Sequence, residues 1–377
     1  MHRLDAAKRL VVKIGSALLV DPESGELRAE WLHSLAADIA AARAAKRDVI
    51  IVSSGAVALG RRLLGLPSGR LKLEEKQAAA AAGQVLLAHH YQASLAKHDV
   101  AAAQLLLTPD DTEDRRRHLN ARATLSTLLQ LGAVPVINEN DTVATSELRF
   151  GDNDRLAARV AQMCGADTLV LLSDVAGLYE QSPHKDPNAA KVTHIDKITR
   201  EIDGMAGAAL PGDSSGGMVT KIAAAKIATA AGCHVLLGDG KRLNPLQQFM
   251  TATAEVDGYS WFEATAEPST ARKRWIAGHV TVGGAVHLDA GAVRALRDGR
   301  SLLPAGVARV EGPFERGDVV RVLDPDGVEL GRGLIAYSDG DAARIAGHQS
   351  REIEDILGFA GREELIHRDD LVLATNT

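Results

Sequence analysis

The first two-thirds of the chain contains five short apolar runs in which polar and apolar residues do not alternate. These runs occupy residues 9–14, 49–52, 134–137, 169–172 and 235–237. Continuous apolar runs are typical of strands that are covered on both faces. Helical patterns lie between these runs, at residues 31–45, 77–97 and 221–231. Residues 105–107 indicate one further strand, and strands that alternate with helices predict a mainly parallel α/β sheet.

Each apolar run ends in glycine or polar residues, which predicts the position of a ligand site. The carboxyl ends of parallel strands meet at one edge of a sheet, where ligands bind in such folds. The densest clusters are Asn-Glu-Asn-Asp at 138–141 and Gly-Asp-Asn-Asp at 151–154, where a helical pattern begins. A helix cap needs only one such side chain, so the excess favours a ligand-binding or lysine-orienting role. A turn at Asp141 and an N-cap at the helix start are the structural alternatives.

The pattern of the chain changes in its last third. Residues 263–274 lack periodicity and indicate a polar linker. Beyond Gly278, short apolar runs such as 319–322 alternate with turn signals at 316–318 and 324–327, a pattern typical of a compact β-rich module. We therefore expect a first domain at residues 1–262, a linker at 263–278 and a second domain at 279–377.

Composition excludes some classes of protein. With 377 residues, 46 % of them hydrophobic, the chain can form two or three domains with sizeable cores. It has no run of about 18 apolar residues that would predict a membrane span. Residues 1–9 lack the apolar centre of a signal peptide, and Cys164 and Cys233 show neither metal-ligand spacing nor a disulfide framework. We interpret the chain as a reduced, cytoplasmic protein.

The acidic excess of the chain lies in its C-terminal part. The whole chain has a formal net charge of −6. Residues 278–377 contain 11 Arg, no Lys and 17 Asp or Glu, so this part accounts for the whole excess. An acidic module argues against broad electrostatic binding of nucleic acid, and a local basic patch stays open.

Two lysines in unusual settings predict an anion site. Lys13 lies inside the first apolar run, where burial is costly unless the ammonium group meets an anion. The alternative is a buried stem with the ammonium group in water. Lys221 ends a segment of hydroxyl residues and two glycines that begins at Ser214 and precedes a helical pattern. Free N–H groups and the positive helix end suit a phosphate, but a simple capped helix fits this segment equally well, and the Gly-Lys-Ser/Thr of a P-loop is missing.

In their order along the chain, these motifs resemble the amino acid kinase family. The matching segments are residues 11–16, 53–56, 135–141, 151–154, 177–179 and 216–221. The strings at 136–141 and 151–154 are similar to those of the branch that phosphorylates glutamate. Segments that resemble a PUA domain lie at 312–320, 343–348 and 356–358. The resemblance implies a three-layer α/β sandwich with a mainly parallel sheet, followed by a small β-barrel-like PUA domain.

The activity that this resemblance implies is ATP-dependent phosphorylation of the γ-carboxylate of L-glutamate. The product would be L-glutamyl 5-phosphate, and the reaction would be the first step of L-proline biosynthesis. Lys13 and Lys221 would contact the transferring phosphoryl group, and Asp154 would hold both lysines. Glutamate would be bound by Ser54, Asn138, Asp141 and Asn153. ATP would be bound by Lys13, Ser173, Asp174, Ser215, Gly216, Gly217, Met218, Val219, Thr220 and Lys221.

The resemblance also implies partners. Mg²⁺ would be carried on the ATP phosphates without a direct protein ligand. A homo-oligomer (dimer or tetramer), feedback inhibition by L-proline and docking to a glutamyl phosphate reductase are expected, with no membrane partner. The alternatives are a kinase for N-acetylglutamate, carbamate or a nucleoside monophosphate, an RNA-binding protein that acts through the PUA domain, and an inactive scaffold or sensor. Asp141 and the PUA module count against the other kinases.

Two segments depart from the family pattern. Ser214 stands where the usual Gly-Thr-Gly-Gly-Met begins with glycine, and Ser182-Pro183-His184 replaces the usual Asp-Pro-Arg. The family pattern therefore does not determine the conformation of the phosphate loop or the contacts of the nucleotide loop in this chain.

Overall fold

The computed structural model describes residues 4–143, 153–181, 186, 188–207, 217–251, 258–267, 276 and 282–373. The chain divides into two compact units, Met1–Pro268 and Ser269–Thr377, and each unit is described by itself. Within the described residues, no helix combines the length and the apolar character needed to cross a membrane.

The first unit alternates strands with helices, as its sequence predicts. Its strands are β1 (Arg9–Ile14), β2 (Asp48–Ser53), β3 (Ala102–Leu107), β4 (Val134–Glu139), β5 (Thr168–Ser173), β6 (Leu178–Tyr179), β7 (Lys191–Val192), β8 (His194–Ile195), β9 (His234–Asp239) and β10 (Tyr259–Phe262). Its helices are α1 (Ser16–Leu19), α2 (Ala29–Ala44), α3 (Ala56–Leu63), α4 (Leu73–Ala96), α5 (Pro109–Glu113), α6 (Arg115–Gln130), α7 (Asn153–Cys164), α8 (Arg200–Met205), α9 (Met218–Ala230) and α10 (Pro245–Thr251).

The main sheet has the strand order β3-β4-β2-β1-β5-β9-β10-β8. Its strand pairs are parallel, except that β10 runs antiparallel to β9. The prediction of a mainly parallel α/β sheet is therefore confirmed. Strands β6 and β7 form a separate two-stranded ribbon.

Helices cover both faces of this sheet, because successive residues of a strand point to opposite faces. Leu10, Val12 and Ile14 of β1 belong to a buried cluster that includes residues of α2 and α4. Val11 belongs to a second cluster, which includes residues of α7 and α9. The result is the expected three-layer sandwich.

Helix α4 begins earlier than its predicted start at residue 77. The backbone N–H of Lys72 donates to Glu75 Oε2 at 2.8 Å, and such a contact from a side chain in the first turn stabilises a helix start. The apolar periodicity from which the prediction was made begins only after this capped turn, so periodicity alone places the start too late.

Helices α3 and α4 approach each other so closely that their crossing requires glycine. A Cβ atom added at Gly60 of α3 would lie 1.8 Å from the carbonyl oxygen of Ala79, and one added at Gly83 of α4 would lie 1.8 Å from that of Ala56. Backbone packs directly on backbone here. Since α3 starts two residues after Ser54, this contact fixes the position of the turn that follows β2.

The second unit is the small β-rich module that the sequence predicts. Its sheet has the order β12-β11-β13-β14-β15, and side chains that include Val286, Val320 and Ile366 fill its core. The strands are β11 (Gly284–Leu288), β12 (Val307–Glu311), β13 (Val319–Leu323), β14 (Glu329–Leu334) and β15 (Leu371–Leu373). The helices are α11 (Ala290–Arg297), α12 (Asp339–Ile345) and α13 (Ile353–Leu357).

Candidate active site

The register of the parallel strands gathers polar residues at the carboxyl edge of the main sheet. Lys13 of β1 pairs with Val52 of β2 and with Leu171 of β5, so it lies one or two residues before the ends of all three strands. Strand β4 ends beside β2. The polar residues that follow these apolar runs therefore share one edge, as predicted.

Lys13, Asp154 and Lys221 form one buried ionic cluster, which we call the lysine–aspartate triad. Lys13 Nζ lies 2.5 Å from Asp154 Oδ1, and Lys221 Nζ lies 3.3 Å from Asp154 Oδ2. The three side chains are 5 %, 0 % and 7 % exposed. The ammonium group of Lys13 is therefore not in water, which removes the alternative of a solvated lysine.

The electrostatics of the triad favour an anion. Burial by itself would raise the pKa of Asp154, but Lys13 and Lys221 hold it below its ordinary value. The carboxylate is therefore ionised at neutral pH. Two ammonium groups around one carboxylate carry a net positive charge, which in a buried setting attracts a further negative group.

Helix α9 brings Lys221 and its neighbours to this edge. The helix begins at Met218, and Gly217 precedes it in an extended conformation. Thr220 Oγ1 lies 3.2 Å from Asp154 Oδ2 and donates to the carbonyl oxygen of Gly217 at 2.7 Å. Val219 is exposed, whereas Lys221 is buried.

Two more of the predicted ATP-binding residues lie at the end of β5. Ser173 is buried, and its hydroxyl donates to Asp174 Oδ1 at 3.1 Å. Asp174 lines a cleft of about 560 Å³ together with Trp31 and Lys241. The predicted ATP-binding residues Ser215 and Gly216 lie outside the described residues, as does Ser214.

A second group of side chains, which we call the acceptor-end cluster, consists of Ser54, Asn138 and Asn153. Asn153 Nδ2 lies 2.9 Å from Ser54 Oγ, 2.9 Å from Asn138 Oδ1 and 2.7 Å from the carbonyl oxygen of Ser53. The structure thus brings together three of the four residues predicted to bind glutamate. The fourth, Asp141, lies in the turn that follows β4 and is partly exposed.

Two residues of α4 that the sequence motifs did not reveal contact this cluster or Ser53, the strand residue beside it. Gln84 Oε1 accepts a hydrogen bond of 2.8 Å from Asn138 Nδ2. The hydroxyl of Tyr91 lies 2.9 Å from Ser53 Oγ, and its complete burial raises its pKa. A glutamine at the spacing of the buried Ala80 and Leu87 is the signal that could have revealed Gln84, because a buried amide needs a partner.

Comparison with known families gives the domains their names. The description "Amino acid kinase family" matches residues 8–239, and "PUA domain" matches residues 284–357. The first match covers more than half of the chain. This chain belongs to the amino acid kinase family. The family resemblance of its motifs is therefore confirmed, and the second unit matches the expected PUA domain.

Curated relatives of this kinase are similar over nearly its whole length. "Glutamate 5-kinase" of Paramagnetospirillum magneticum is 59 % identical over 374 residues, which cover 99 % of this chain and 100 % of the relative. Proteins of the same name are 57 % identical in Rhodopseudomonas palustris strain TIE-1 (99 % and 98 % covered) and 58 % identical in Allorhizobium ampelinum (98 % and 93 % covered).

Solved structures with a similar fold are more distant. The UMP kinase from Ureaplasma parvum has 15 % sequence identity and a TM-score of 0.47, and the match covers 70 % of this chain and 100 % of that structure. A carbamate kinase from Giardia lamblia bound to AMP-PNP has 16 % identity and a TM-score of 0.47, with 69 % and 99 % covered.

Proposed function

We propose that this kinase transfers the γ-phosphoryl group of ATP to the γ-carboxylate of L-glutamate, as the first step of L-proline biosynthesis. The products are ADP and L-glutamyl 5-phosphate. The observation that carries the proposal is the buried lysine–aspartate triad beside the acceptor-end cluster. Near full-length similarity to proteins named glutamate 5-kinase supports the choice of substrate.

The chemistry of this reaction requires cations more than it requires a base. A glutamate side chain has a pKa of about 4.3, so the attacking carboxylate is already ionised at neutral pH. The obstacle is repulsion between this carboxylate and the phosphates of ATP. Positive groups that are fixed around the transferred phosphoryl group lower that barrier. In the proposal, Lys13 and Lys221 supply this charge, and Asp154 keeps both ammonium groups in place.

The ATP side of the proposed site consists of the start of α9 and the end of β5. The N–H groups of the first turn of α9 and its positive dipole end suit a phosphate. Gly217 allows close approach of the backbone, and the cleft beside Asp174 has a volume in the range of ligand sites. Ser173, Thr220 and Lys221 complete the described part of this side.

The glutamate side consists of Ser54, Asn138, Asn153 and Asp141. In the proposal, the carboxylate of Asp141 accepts hydrogen bonds from the α-ammonium group of glutamate. Such a contact selects a free amino acid over an N-acylated one, because acylation removes the charge and two of the donors. This distinction favours glutamate over N-acetylglutamate.

Mg²⁺ enters this proposal with the co-substrate, on the phosphates of ATP. Among the residues that the structure describes, no group of three or more His, Cys, Asp or Glu side chains could hold a metal ion. The only carboxylate of the triad is that of Asp154, and it faces two lysines. We assign the metal to ATP and no step to a protein-bound ion.

The wider setting follows from the proposed product. An acyl phosphate is labile, so a glutamyl phosphate reductase is the expected consumer, and L-proline is the expected feedback inhibitor. A homo-oligomer (dimer or tetramer) and a cytoplasmic location stay predictions. RNA binding by the PUA domain is the second candidate activity, which its family match favours and its acidic balance disfavours. A gel shift of the full chain with structured RNA tests it, and no shift at low salt counts against it.

An acyl hydroxamate assay tests the proposed function. The pure protein is incubated with ATP, Mg²⁺ and hydroxylamine and is offered L-glutamate, L-aspartate, N-acetyl-L-glutamate or UMP in parallel, with hydroxamate and ADP both measured. We expect hydroxamate with L-glutamate alone. If ADP formed with another acceptor and not with L-glutamate, the kinase activity would be supported and the choice of L-glutamate as substrate would be overturned.

A further inference from the structure

Helix α4 places two buried polar side chains beneath the acceptor-end cluster. Gln84 and Tyr91 are 8 % and 1 % exposed, and their spacing of two helical turns puts them on one face of the helix. Gln84 contacts Asn138, and Tyr91 contacts Ser53. A helix that contributes no predicted ligand-binding residue therefore supports the cluster at Asn138 and the adjoining strand end at Ser53.

The backbone N–H of Glu139 and the carbonyl oxygen of Gln84 together fix the orientation of the Asn138 amide. A carboxamide donates at its nitrogen and accepts at its oxygen, so its two ends are not interchangeable. Asn138 Oδ1 accepts from the backbone N–H of Glu139 at 2.9 Å and from Asn153 Nδ2 at 2.9 Å, while Asn138 Nδ2 donates to Gln84 Oε1. If the Asn138 amide turned over, its nitrogen would face the N–H groups of Glu139 and Asn153. Its oxygen would face the carbonyl oxygen of Gln84.

The orientation of Asn138 is transmitted to Asn153 and Ser54. Because Asn138 presents its oxygen, the amide nitrogen of Asn153 turns inward, where its two N–H groups are shared among Asn138 Oδ1, Ser54 Oγ and the carbonyl oxygen of Ser53. The amide oxygen of Asn153 then makes no hydrogen bond with the described residues. Since Ser54 Oγ accepts on its inner side, its hydroxyl hydrogen is left to donate elsewhere.

The acceptor-end cluster therefore presents two groups of fixed position, the amide oxygen of Asn153 as an acceptor and the hydroxyl of Ser54 as a donor. An amino acid needs acceptors for the three N–H groups of its ammonium group and a donor for its carboxylate, so the Asn153 oxygen can act beside Asp141, and the Ser54 hydroxyl can supply the donor. The glycine contact between α3 and α4 holds Gln84, which follows Gly83, at a fixed distance from the turn at Ser54. The glycine contact between α3 and α4 and the hydrogen bond from Asn138 to Gln84 therefore both help to position the acceptor-end cluster.

We propose that Gln84 is a positioning residue for the amino acid substrate, because its carbonyl oxygen accepts from the buried amide nitrogen of Asn138 and so stabilises the orientation of the chain Asn138–Asn153–Ser54. The inference deepens the proposed function and rests on it. Gln84 touches neither ATP nor glutamate in this proposal. It acts through Asn138, so its loss weakens recognition of glutamate and leaves recognition of ATP intact.

The first test replaces Gln84 by methionine, which has a similar shape and only a weak acceptor in its sulfur. We expect Gln84→Met to raise the KM for L-glutamate about tenfold, since a buried N–H group loses its partner. The KM for ATP should change less than about twofold, and kcat should fall less than the KM for glutamate rises. Gln92→Met is the matched control, because Gln92 is exposed on the same helix.

The second test separates polarity from packing. Gln84→Glu keeps an acceptor for Asn138, and in Asn138→Asp the Gln84 amide can turn to donate to the new carboxylate. Each single change therefore keeps a hydrogen bond between positions 84 and 138. The double variant makes two carboxylates face each other without a donor. We expect the fold-increase in its KM for glutamate to be about ten times the product of the fold-increases in the two single variants. This KM should fall as pH falls from 8 to 6, because the two carboxylates can then share one proton.

The outcomes decide between a polar and a merely structural role. An unchanged KM for glutamate in Gln84→Met, equal rises of both KM values, or additive effects in the double variant would each overturn the proposal. The Gln84→Glu series keeps the comparison possible if Gln84→Met is too unstable to assay. Failure of the proposed function shows in the wild-type protein, which would form no hydroxamate with L-glutamate, whereas failure of the Gln84 proposal shows only in the variants.

Discussion

The two ends of the candidate site are held by different kinds of interaction. The end proposed to bind the phosphoryl group, which we call the phosphoryl end, is the lysine–aspartate triad. It is held by ion pairs between two buried ammonium groups and the two oxygens of Asp154. The acceptor end consists of neutral amides and a hydroxyl, linked by hydrogen bonds of 2.7 to 2.9 Å. Both ends lie at the carboxyl edge of one sheet, but the lysine–aspartate triad is buried throughout, whereas Ser54 and Asn153 of the acceptor-end cluster are partly exposed.

This difference matches what each end has to distinguish. A charge attracts an anion from any direction, which suits a phosphoryl group whose oxygens rearrange during transfer. An amide has a donor end and an acceptor end, which suits a substrate that must be told from close analogues. Breaking the phosphoryl end should therefore lower turnover, and breaking the acceptor end should weaken glutamate binding.

Removal of Asp154 should have the largest effect. We expect Asp154→Ala to lower kcat by about 10²–10³ or more, because both lysines lose the group that holds them. The unfolding free energy should fall by about 3–5 kcal/mol, since two buried ammonium groups lose their counter-charge. The hydroxamate assay and urea denaturation measure the two effects. Asp203→Ala is the control, because Asp203 forms an exposed pair with Lys226, and a kcat within tenfold of wild type in Asp154→Ala would contradict the prediction.

Removal of Lys221 should affect turnover far more than glutamate binding. We expect Lys221→Ala to lower kcat about 10²-fold, because one fixed positive charge is lost from the transferred group. The KM for L-glutamate should change only a few-fold, as Lys221 lies at the other end of the site. Lys226→Ala on the same helix removes an exposed lysine and should change neither parameter. An unchanged turnover number in Lys221→Ala would remove this lysine from the mechanism.

A methyl group at Gly60 should disturb the acceptor end through packing. Gly60→Ala places a Cβ atom against the Ala79 carbonyl and forces α3 away from α4. We expect the unfolding free energy to fall by about 1–3 kcal/mol and the KM for glutamate to rise more than the KM for ATP. Gly204→Ala in α8 is the control, since a Cβ atom there meets open space. Equal changes at both positions would show that the close crossing is unimportant.

Loss of the Ser54 hydroxyl should have a smaller effect, confined to glutamate binding. Ser54→Ala removes the donor that faces the substrate and one acceptor for Asn153. We expect the KM for L-glutamate to rise about three- to tenfold, with kcat nearly unchanged. Initial rates over a range of glutamate concentrations measure this, and Ser54→Thr, which keeps the hydroxyl, should stay near wild type. A loss of kcat in Ser54→Ala instead would blur the distinction between the two ends.

The smallest effect near neutral pH should be that of pH itself. The pKa of Asp154 is lower in the folded than in the unfolded protein, so its contribution to stability is fully present above the unfolded value of about 3.9. It is lost as pH falls through the lower, folded value. The difference in unfolding free energy between wild type and Asp154→Asn should thus be constant from pH 6 to 8 and shrink in acid. A difference that grows in acid would reverse the sign of the argument.

Residue patterns alone predicted six of the eight strands that the structure describes in the main sheet and the helices α2, α4, α7 and α9, and they singled out Lys13 and Lys221. Apolar runs such as 134–137 predict buried strands because a strand that is covered on both faces is apolar at consecutive positions. Lys13 stood out because a lysine inside such a run is costly. The carboxyl ends of parallel strands share an edge, so even the grouping of Ser54, Asn138 and Ser173 at one end of the sheet was predictable.

The contacts between these groups depend on how distant segments of the chain pack together. This packing joined Lys13 and Lys221 through the two oxygens of Asp154, and it placed Gln84 and Tyr91 of α4 beneath the turn at Ser54. The fit of Gly60 against Ala79 also exists only once α3 and α4 are packed. Periodicity and capping are local properties of the chain, whereas ion pairs and amide orientation depend on strand register and helix crossing between distant segments.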